Sequence, residues 1–419
     1  MGFRMLPLID VCETITDGSH YSPQSEPDSG YYMASVRDMR DFGFDFSDCK
    51  TISTNDYEIM QRNGCCPKRG DILIGKDGAN FYMDAFIFEQ DEQPAILSSI
   101  AIIRPNRHIV IPEFLFAYLR TPSVIADVRA NYRSGSAIPR IVLKDFKRLP
   151  VWVPDLDTQA RIARIYASFN QLIHINQQTN DYLLELTRLQ IKEYLSQTED
   201  TSFVSVRDYV VSMSNGATPS RKNAAFWDDG NIPWVKTSEV NNGLILETEE
   251  HVTQSAVEKT SIRLLPVNTV VMALYGRGTA GRLGILQIEA TTNQACTAMV
   301  CDSSIEAFYL FITLQGMYRQ IDNMTRGSVQ QNLSKDLVAE IQIPSIPVGV
   351  LKEMGLEQYY SQIVINEREN SKLAAMRDVL LPKLMSGEID VSRVALPTQP
   401  NNHLCGKEVA DDHAARQVL

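Results

Sequence analysis

No two cysteines in this chain have the Cys-x-x-Cys spacing of a metal knuckle or a redox motif. The seven thiols are odd in number, and only Cys65 and Cys66 are close, as direct neighbours. The pattern argues against a disulfide frame or a zinc site and for reduced cysteines packed inside. Long apolar runs are missing as well. Val270 to Tyr275 and Ala307 to Ile312 fall far short of a bilayer span, and the opening MGFRMLPLIDVCETI soon turns acidic where a signal peptide would stay apolar. The expectation is a soluble, cytoplasmic protein with no membrane partner. Positive charge is in the minority, 40 Lys and Arg against 51 Asp and Glu, which over the whole chain disfavours a nucleic-acid partner.

Catalytic signatures are equally scarce. The chain has no Walker A loop, no Gly-x-Ser-x-Gly elbow, no His-Glu-x-x-His helix and no Asn/Asp-Pro-Pro-aromatic tetrapeptide of the methyltransferase kind, and its six histidines are scattered. Gly276-Arg277-Gly278-Thr279-Ala280-Gly281 does spell G-x-G-x-x-G after an apolar run. The adjoining segment, Arg282 to Ile288, reads as a strand, so no helix N-terminus is offered to a pyrophosphate. A glycine-rich hairpin bearing Arg277 and Arg282 is expected there, and no cofactor.

What the chain does contain is duplication. A length of 419 residues suggests two or three domains. "INQQTNDYLLEL" from Ile175 is echoed by "INERENSKLAAM" from Ile365, 190 residues on. Upstream echoes share the order: Gly70 to Ile74 with Asn268 to Met272, Ser98 to Ala101 with Asn293 to Cys296, Ser134-Gly135-Ser136 with Arg326-Gly327-Ser328, and Lys144-Asp145 with Lys335-Asp336. Each half reads as a strand-rich mixed domain closing on a Pro-punctuated strand and followed by a long helix. The first helix is expected to be capped by Asp157 or Thr158 and to run to about Ser196; the second shows the same seam through Leu356, Tyr359, Ile363, Asn366, Asn370, Leu373, Met376 and Leu380 until Pro382 disturbs it.

Asn176 and Asn180 in the first seam, and Asn366 and Asn370 in the second, interrupt apolar stripes that step by three or four residues. A polar residue inside such a stripe fixes register, because a matching polar partner must satisfy it. The expected fold is therefore α+β: two mixed domains separated by two long antiparallel helices that form a coiled coil with a pseudo-two-fold repeat. Boundaries are set at 1–155, 156–198, 199–347 and 348–392, with a polar tail, 393–419, expected to be disordered. Two unrelated surface helices with solvated asparagines are the competing reading.

The segment Leu380-Leu381-Pro382-Lys383-Leu384-Met385-Ser386-Gly387-Glu388-Ile389 resembles the C-terminal signature of the specificity subunits of type I restriction-modification systems. Thr218-Pro219-Ser220, Asn231 to Lys236 and Thr292-Asn293-Gln294-Ala295 resemble parts of that family's target-recognition domains, and Pro154, Gln159 and Ile162 its entry into a spacer helix. The first half departs at Ser98-Ser99, set against Asn293-Gln294. The resemblance implies two target-recognition domains, each reading half of a bipartite double-stranded DNA site, with the helices as a ruler between them. It also implies docking for two methyltransferase subunits and, through the complex, restriction subunits, a non-catalytic role for this chain, and a place in phage defence.

Cations cluster in two stretches. Lys259 to Arg282 holds four with no acid, and Asp127 to Arg148 holds six against two acids. Charge alone leaves solvated faces as an equal alternative. Side chains suited to phosphate or base edges are Lys76, Arg133, Ser136 and Arg140 in the first half, and Lys236, Arg277, Arg282, Arg326, Gln330 and Gln331 in the second. Arginine can pair with guanine and glutamine with adenine; the bland reading of each is a salt bridge or a loop-stabilising bond. A helical scaffold whose globular domains bind protein, and an enzyme using the glycine loop, are the other classes considered.

Overall fold

The computed structural model describes residues 4–27, 29–78, 80–135, 139–276, 278–326 and 333–394, the side chains of Thr325 and Arg326 excepted. Both halves are mixed α+β and build the same parts in the same order. A terminal strand pairs antiparallel with the strand that closes the half: Arg4–Pro7 with Pro150–Val153, and Phe203–Ser205 with Gln342–Pro344. The first main sheet runs in the order Cys12–Asp17, Ile100–Pro105, Ile72–Gly75, Ala85–Ile87. The second repeats it as Ser212–Asn215, Cys296–Val300, Val270–Ala273, Leu283–Leu286, with Gly243–Ile245 added parallel at the edge. Each half also has a small sheet whose middle strand, Tyr31–Ala34 or Ile232–Val235, is antiparallel to one neighbour and parallel to the other.

Burial on both faces explains the unbroken apolar runs of the central strands. Ile72 and Ile74 turn towards the core formed with helix Pro112–Leu119, whereas Leu73, one residue out of phase, joins Phe44, Phe86 and Phe88 on the other face. Val270 and Met272 against Val271 and Ala273 divide two cores in the same way.

Backbone pairing fixes the repeat to the residue. Leu73 lies opposite Ile102 as Val271 lies opposite Ala298, so the match of Gly70 to Ile74 with Asn268 to Met272 holds. One expected match is corrected. Leu97 N donates to Ala34 O at 2.9 Å where Asn293 N donates to Val235 O at 3.0 Å. Leu97-Ser98, not Ser98-Ser99, therefore stands at Asn293-Gln294, because the ladder sets the register and similarity of small polar residues does not. Further on, Ile141 N donates to Lys76 O and Leu333 N to Leu274 O, both at 3.0 Å, which sets Leu333 at the place of Ile141; the match of Ser134-Gly135-Ser136 with Arg326-Gly327-Ser328 falls partly outside the described residues. The same register, continued to Leu149 and Ile341, sets Lys144 opposite Asp336 and not Lys335.

The first long helix is Leu156–Gln197. Its cap is Asp155, earlier than expected: the carboxylate accepts from Thr158 N at 2.9 Å and from the Thr158 hydroxyl at 2.8 Å. Those bonds hold the Asp155 carboxyl below its ordinary range. The second long element is interrupted. Helix Val348–Glu353 stops, Gly355 takes φ +80°, and Leu356–Met385 comes next. Pro382 lies inside that helix and does not end it; the chain turns at Gly387, φ +75°, with Ile389 N donating to Lys383 O. The seam also differs from expectation on either side of its asparagines. Tyr360, not Tyr359, is buried, and Met376 is exposed because steps of three and four from Asn370 lead to Arg377, Leu381 and Leu384.

The chain divides into two compact units, Met1–Gln171 with Ala374–Leu419, and Leu172–Leu373. In the second unit Asn176 Nδ2 donates to Asn370 Oδ1 at 3.0 Å and Asn366 Nδ2 to Asn180 Oδ1 at 2.7 Å. Partners fall as positions rise, so the helix segments run antiparallel there. In the first unit Arg377 donates to Asn170 Oδ1 at 2.8 Å, and Leu381 and Leu384 join the core of Ile162 and Tyr166.

Candidate nucleic-acid interface

In the first half the loops bearing Lys76, Arg133 and Arg140 meet at one end of the main sheet, and in the second the turn that leads to Arg282 stands at the corresponding end. The chain leaves the first strand at Gly18 in one half and Gly216 in the other. Gly18 N donates to Ile100 O and Ser19 N to Ile96 O; Gly216 N donates to Cys296 O and Ala217 N to Thr292 O. A Cβ on Gly18 would sit 2.1 Å from Ile96 O, and one on Gly216 would sit 2.2 Å from Thr292 O. Only glycine lets these loops pass so close to the neighbouring strand.

Around the first crossing lie Lys76, Arg133 and Arg140. Lys76 comes directly after strand Ile72–Gly75, is 7% exposed, and its Nζ is 2.9 Å from the Asp17 carboxylate. Ser134 and Arg140 exchange backbone bonds at 2.8 and 2.9 Å, and Gly78 N donates to Pro139 O. Arg133 and Arg140 are exposed on this turn. Ser136 lies outside the described residues.

In the second unit the glycine-rich segment is a turn, in line with its sequence, and runs into strand Leu283–Leu286. Gly276, Gly278 and Gly281 all have positive φ, and Ala273 N donates to Arg282 O at 2.9 Å. Arg282 Nη1 donates to Asn241 Oδ1 at 2.8 Å, while Asn242, φ +59°, accepts from Leu283 N. Arg277, Gln330 and Gln331 lie outside the described residues. Arg326 ends helix Tyr318–Arg326, and its side chain lies outside them too.

Lys236 is committed elsewhere. Its Nζ is 2.8 Å from Glu249 and 3.1 Å from Glu250, and the bond to Glu249 raises the ammonium pKa. Glu250 also pairs with Arg221, whose guanidinium lies 3.6 Å over the Trp227 ring. The Glu250 carboxyl is lowered by Arg221 first and then by Lys236.

Several of these partners escape a reading of the sequence: Asp17, Arg221, Trp227, and the latch made by Asn241 and Asn242. Asn241-Asn242-Gly243 is a turn signal and marks the last of them. The Thr218 hydroxyl donates to Gln294, joining two segments that stand far apart in the sequence. Chemically, the exposed Arg133 and Arg140 have the donors that phosphate and base edges take, whereas the ammonium groups of buried Lys76 and of Lys236 are held by carboxylates. Burial pushes the Cys12 and Cys296 thiols up to about 12, which removes them as nucleophiles at neutral pH. Among the described residues no cluster of His, Cys, Asp or Glu could hold a metal ion, and no helix is long and apolar enough to cross a membrane.

A loop cluster with exposed Arg133 and Arg140 in the first half, and the glycine turn leading to half-buried Arg282 at the matching sheet end of the second, mark a duplicated protein whose loops suit recognition. The family model for the type I restriction modification DNA specificity domain matches residues 3–185 and again 199–375, and the chain belongs to that family as a DNA specificity subunit. It is similar to the HindI specificity subunit of Haemophilus influenzae, 22% identical over 405 residues, covering 77% of this chain and 87% of that one. Similarity to the EcoR124I/EcoR124II specificity subunit of Escherichia coli is 26% over 218 residues, 48% of this chain and 52% of the relative. A solved S subunit from M. genitalium aligns over 91% of this chain and 96% of its own, at 14% identity and a TM-score of 0.48.

Proposed function

We propose that residues 1–155 and 199–347 are two target-recognition domains, each reading one half of a bipartite double-stranded DNA site. The helices of 156–198 and 348–392 then act as an antiparallel coiled coil that sets the unread gap. This chain is the non-catalytic guide of a cytoplasmic complex in which two methyltransferase subunits dock on the duplicated helical surfaces and restriction subunits join through them. The observation that carries the reading is the repeat itself: sheet order, the Gly18 and Gly216 crossings and the loop ladders recur residue by residue. Two equivalent loop clusters suit two half-sites.

Arg133, Arg140 and Arg282 head the contact set, with Ser136, Arg277, Arg326, Gln330 and Gln331 beside them. Lys76 and Lys236 act by shaping the loops. The test is methylation mapping of DNA from cells expressing the chain with its methyltransferase subunits. A split motif with a fixed gap is expected; a continuous motif, or none, refutes the reading. Binding should also weaken steeply with salt, because phosphate contacts release counterions.

A further inference from the structure

In the second unit one hydroxyl of the long helix is bonded into the root of the sheet that carries the glycine loop. Tyr360, 4% exposed, receives a bond from Gln287 Nε2 at 2.6 Å and donates to Asn268 Oδ1 at 2.8 Å. Its ring stacks on Phe308 with centroids 4.9 Å apart, so the ring has packing independent of the hydroxyl. Asn268, at φ +67°, stands two residues before strand Val270–Ala273, and Gln287 is the first residue after strand Leu283–Leu286. Those two strands form the stem of the turn from Gly276 to Arg282. Strand Val270–Ala273 is buried along its whole length between two neighbours, so a tilt at its root reaches the turn.

The first unit ties its long helix to the segment that leads into helix Pro112–Leu119 instead. Gln159, fully buried in the first long helix, accepts from Ile111 N at 2.8 Å and donates to Ile109 O and Pro154 O. At the position of Asn268 it has Gly70, which offers no side-chain acceptor.

We infer that Tyr360, Asn268 and Gln287 form a positioning lock that sets where the second glycine loop stands along the helix, and hence which gap length the protein accepts. The inference rests on the proposed bipartite reading. Tyr360 is a positioning residue; it touches no base.

The test uses the full chain with its methyltransferase subunits and compares genomic methylation maps of wild type, Tyr360→Phe and Asn268→Gly. Tyr360→Phe keeps the ring stack, and Asn268→Gly keeps the positive φ while removing the acceptor. Both variants should keep the two half-site sequences and raise methylation at gaps one base pair longer or shorter by about ten-fold, the scale of one lost buried hydrogen bond. A wild-type gap ratio in both variants, or equal loss at every gap in both, overturns the lock. A wild-type map without a split motif overturns the bipartite reading instead.

Discussion

The two recognition halves satisfy the same backbone with different side chains. In the first, Asp71 is buried, accepts from Lys68 N at 2.7 Å and holds Arg104 through two bonds of 2.8 and 2.7 Å. The ladder sets Thr269 opposite Asp71 in the repeat, Val300 opposite Arg104 and Pro266 opposite Lys68. Proline has no N–H to satisfy, so Thr269 reverses the polarity and donates its hydroxyl to Pro266 O at 2.7 Å. A second reversal is at Lys50, which donates to Ser22 Oγ and Pro23 O, where the other half has Glu250 holding Arg221. The lesson is that the turn geometry is the constant, and each local polar group is answered by whatever complements it.

The largest effect should come from breaking the first of these pairs. Asp71→Thr alone is expected to cost about 3–5 kcal/mol in denaturant unfolding, because Arg104 and the Lys68 N–H lose their acceptor. The triple change Lys68→Pro, Asp71→Thr, Arg104→Val installs the second half's solution and should return to within about 1 kcal/mol of wild type. An unrecovered triple variant would show that the halves are not interchangeable at this turn.

Next come the crossings. Gly18→Ala and Gly216→Ala should each cost about 3 kcal/mol, since the added methyl meets backbone oxygen that has nowhere to go. Unequal losses in thermal unfolding would separate two sites that now look the same. Smaller effects belong to the turn above them. Gly281, φ +83°, corresponds to Tyr82, which adopts φ +68° though it is not glycine. Gly281→Ala should cost about 1–2 kcal/mol. Tyr82→Phe should be neutral or stabilising by about 1 kcal/mol, because the buried Tyr82 hydroxyl finds no hydrogen-bond partner among the described residues.

The smallest effect is in acid. The Glu250 carboxyl is depressed in the folded protein, so its contribution is present above the unfolded carboxylate pKa and lost as pH falls through the lower folded value. Solvent screening keeps it within about 1 kcal/mol. Glu250→Gln should flatten the acid limb of a stability titration by that amount, and an unchanged limb would mean the Arg221 pair contributes nothing.

Much of this is legible in the chain. The drifting offsets of the repeat foretell duplicated sheets, and the asparagines at the middle of both seams find each other across antiparallel helix segments. Less legible is anything decided by three-dimensional satisfaction. Lys76 is picked out by residue type, but neither its burial nor its pairing with Asp17, nearly 60 residues away, is visible in the sequence. Similarity places Ser98-Ser99 one position off, since a one-residue shift is invisible without the ladder. Asp155 is easily passed over as a cap because three candidate cap residues stand within four positions there. The seam is misread at Tyr359 and Met376, on either side of the asparagines, because small errors in step accumulate away from them.

The core around Ile162 and Tyr166 is finished by Leu381, Leu384, Met385 and Val391, supplied from the far end of the polypeptide. During translation the unit begun first is thus completed last. Leu172–Leu373 emerges as a contiguous stretch, while its predecessor waits with an open apolar flank for about 200 residues, roughly 10–40 s of ribosome time. A nonsense mutation before Leu381 would leave that flank permanently uncovered, so truncated nascent chains should go to chaperones and proteases by way of their N-terminal portion.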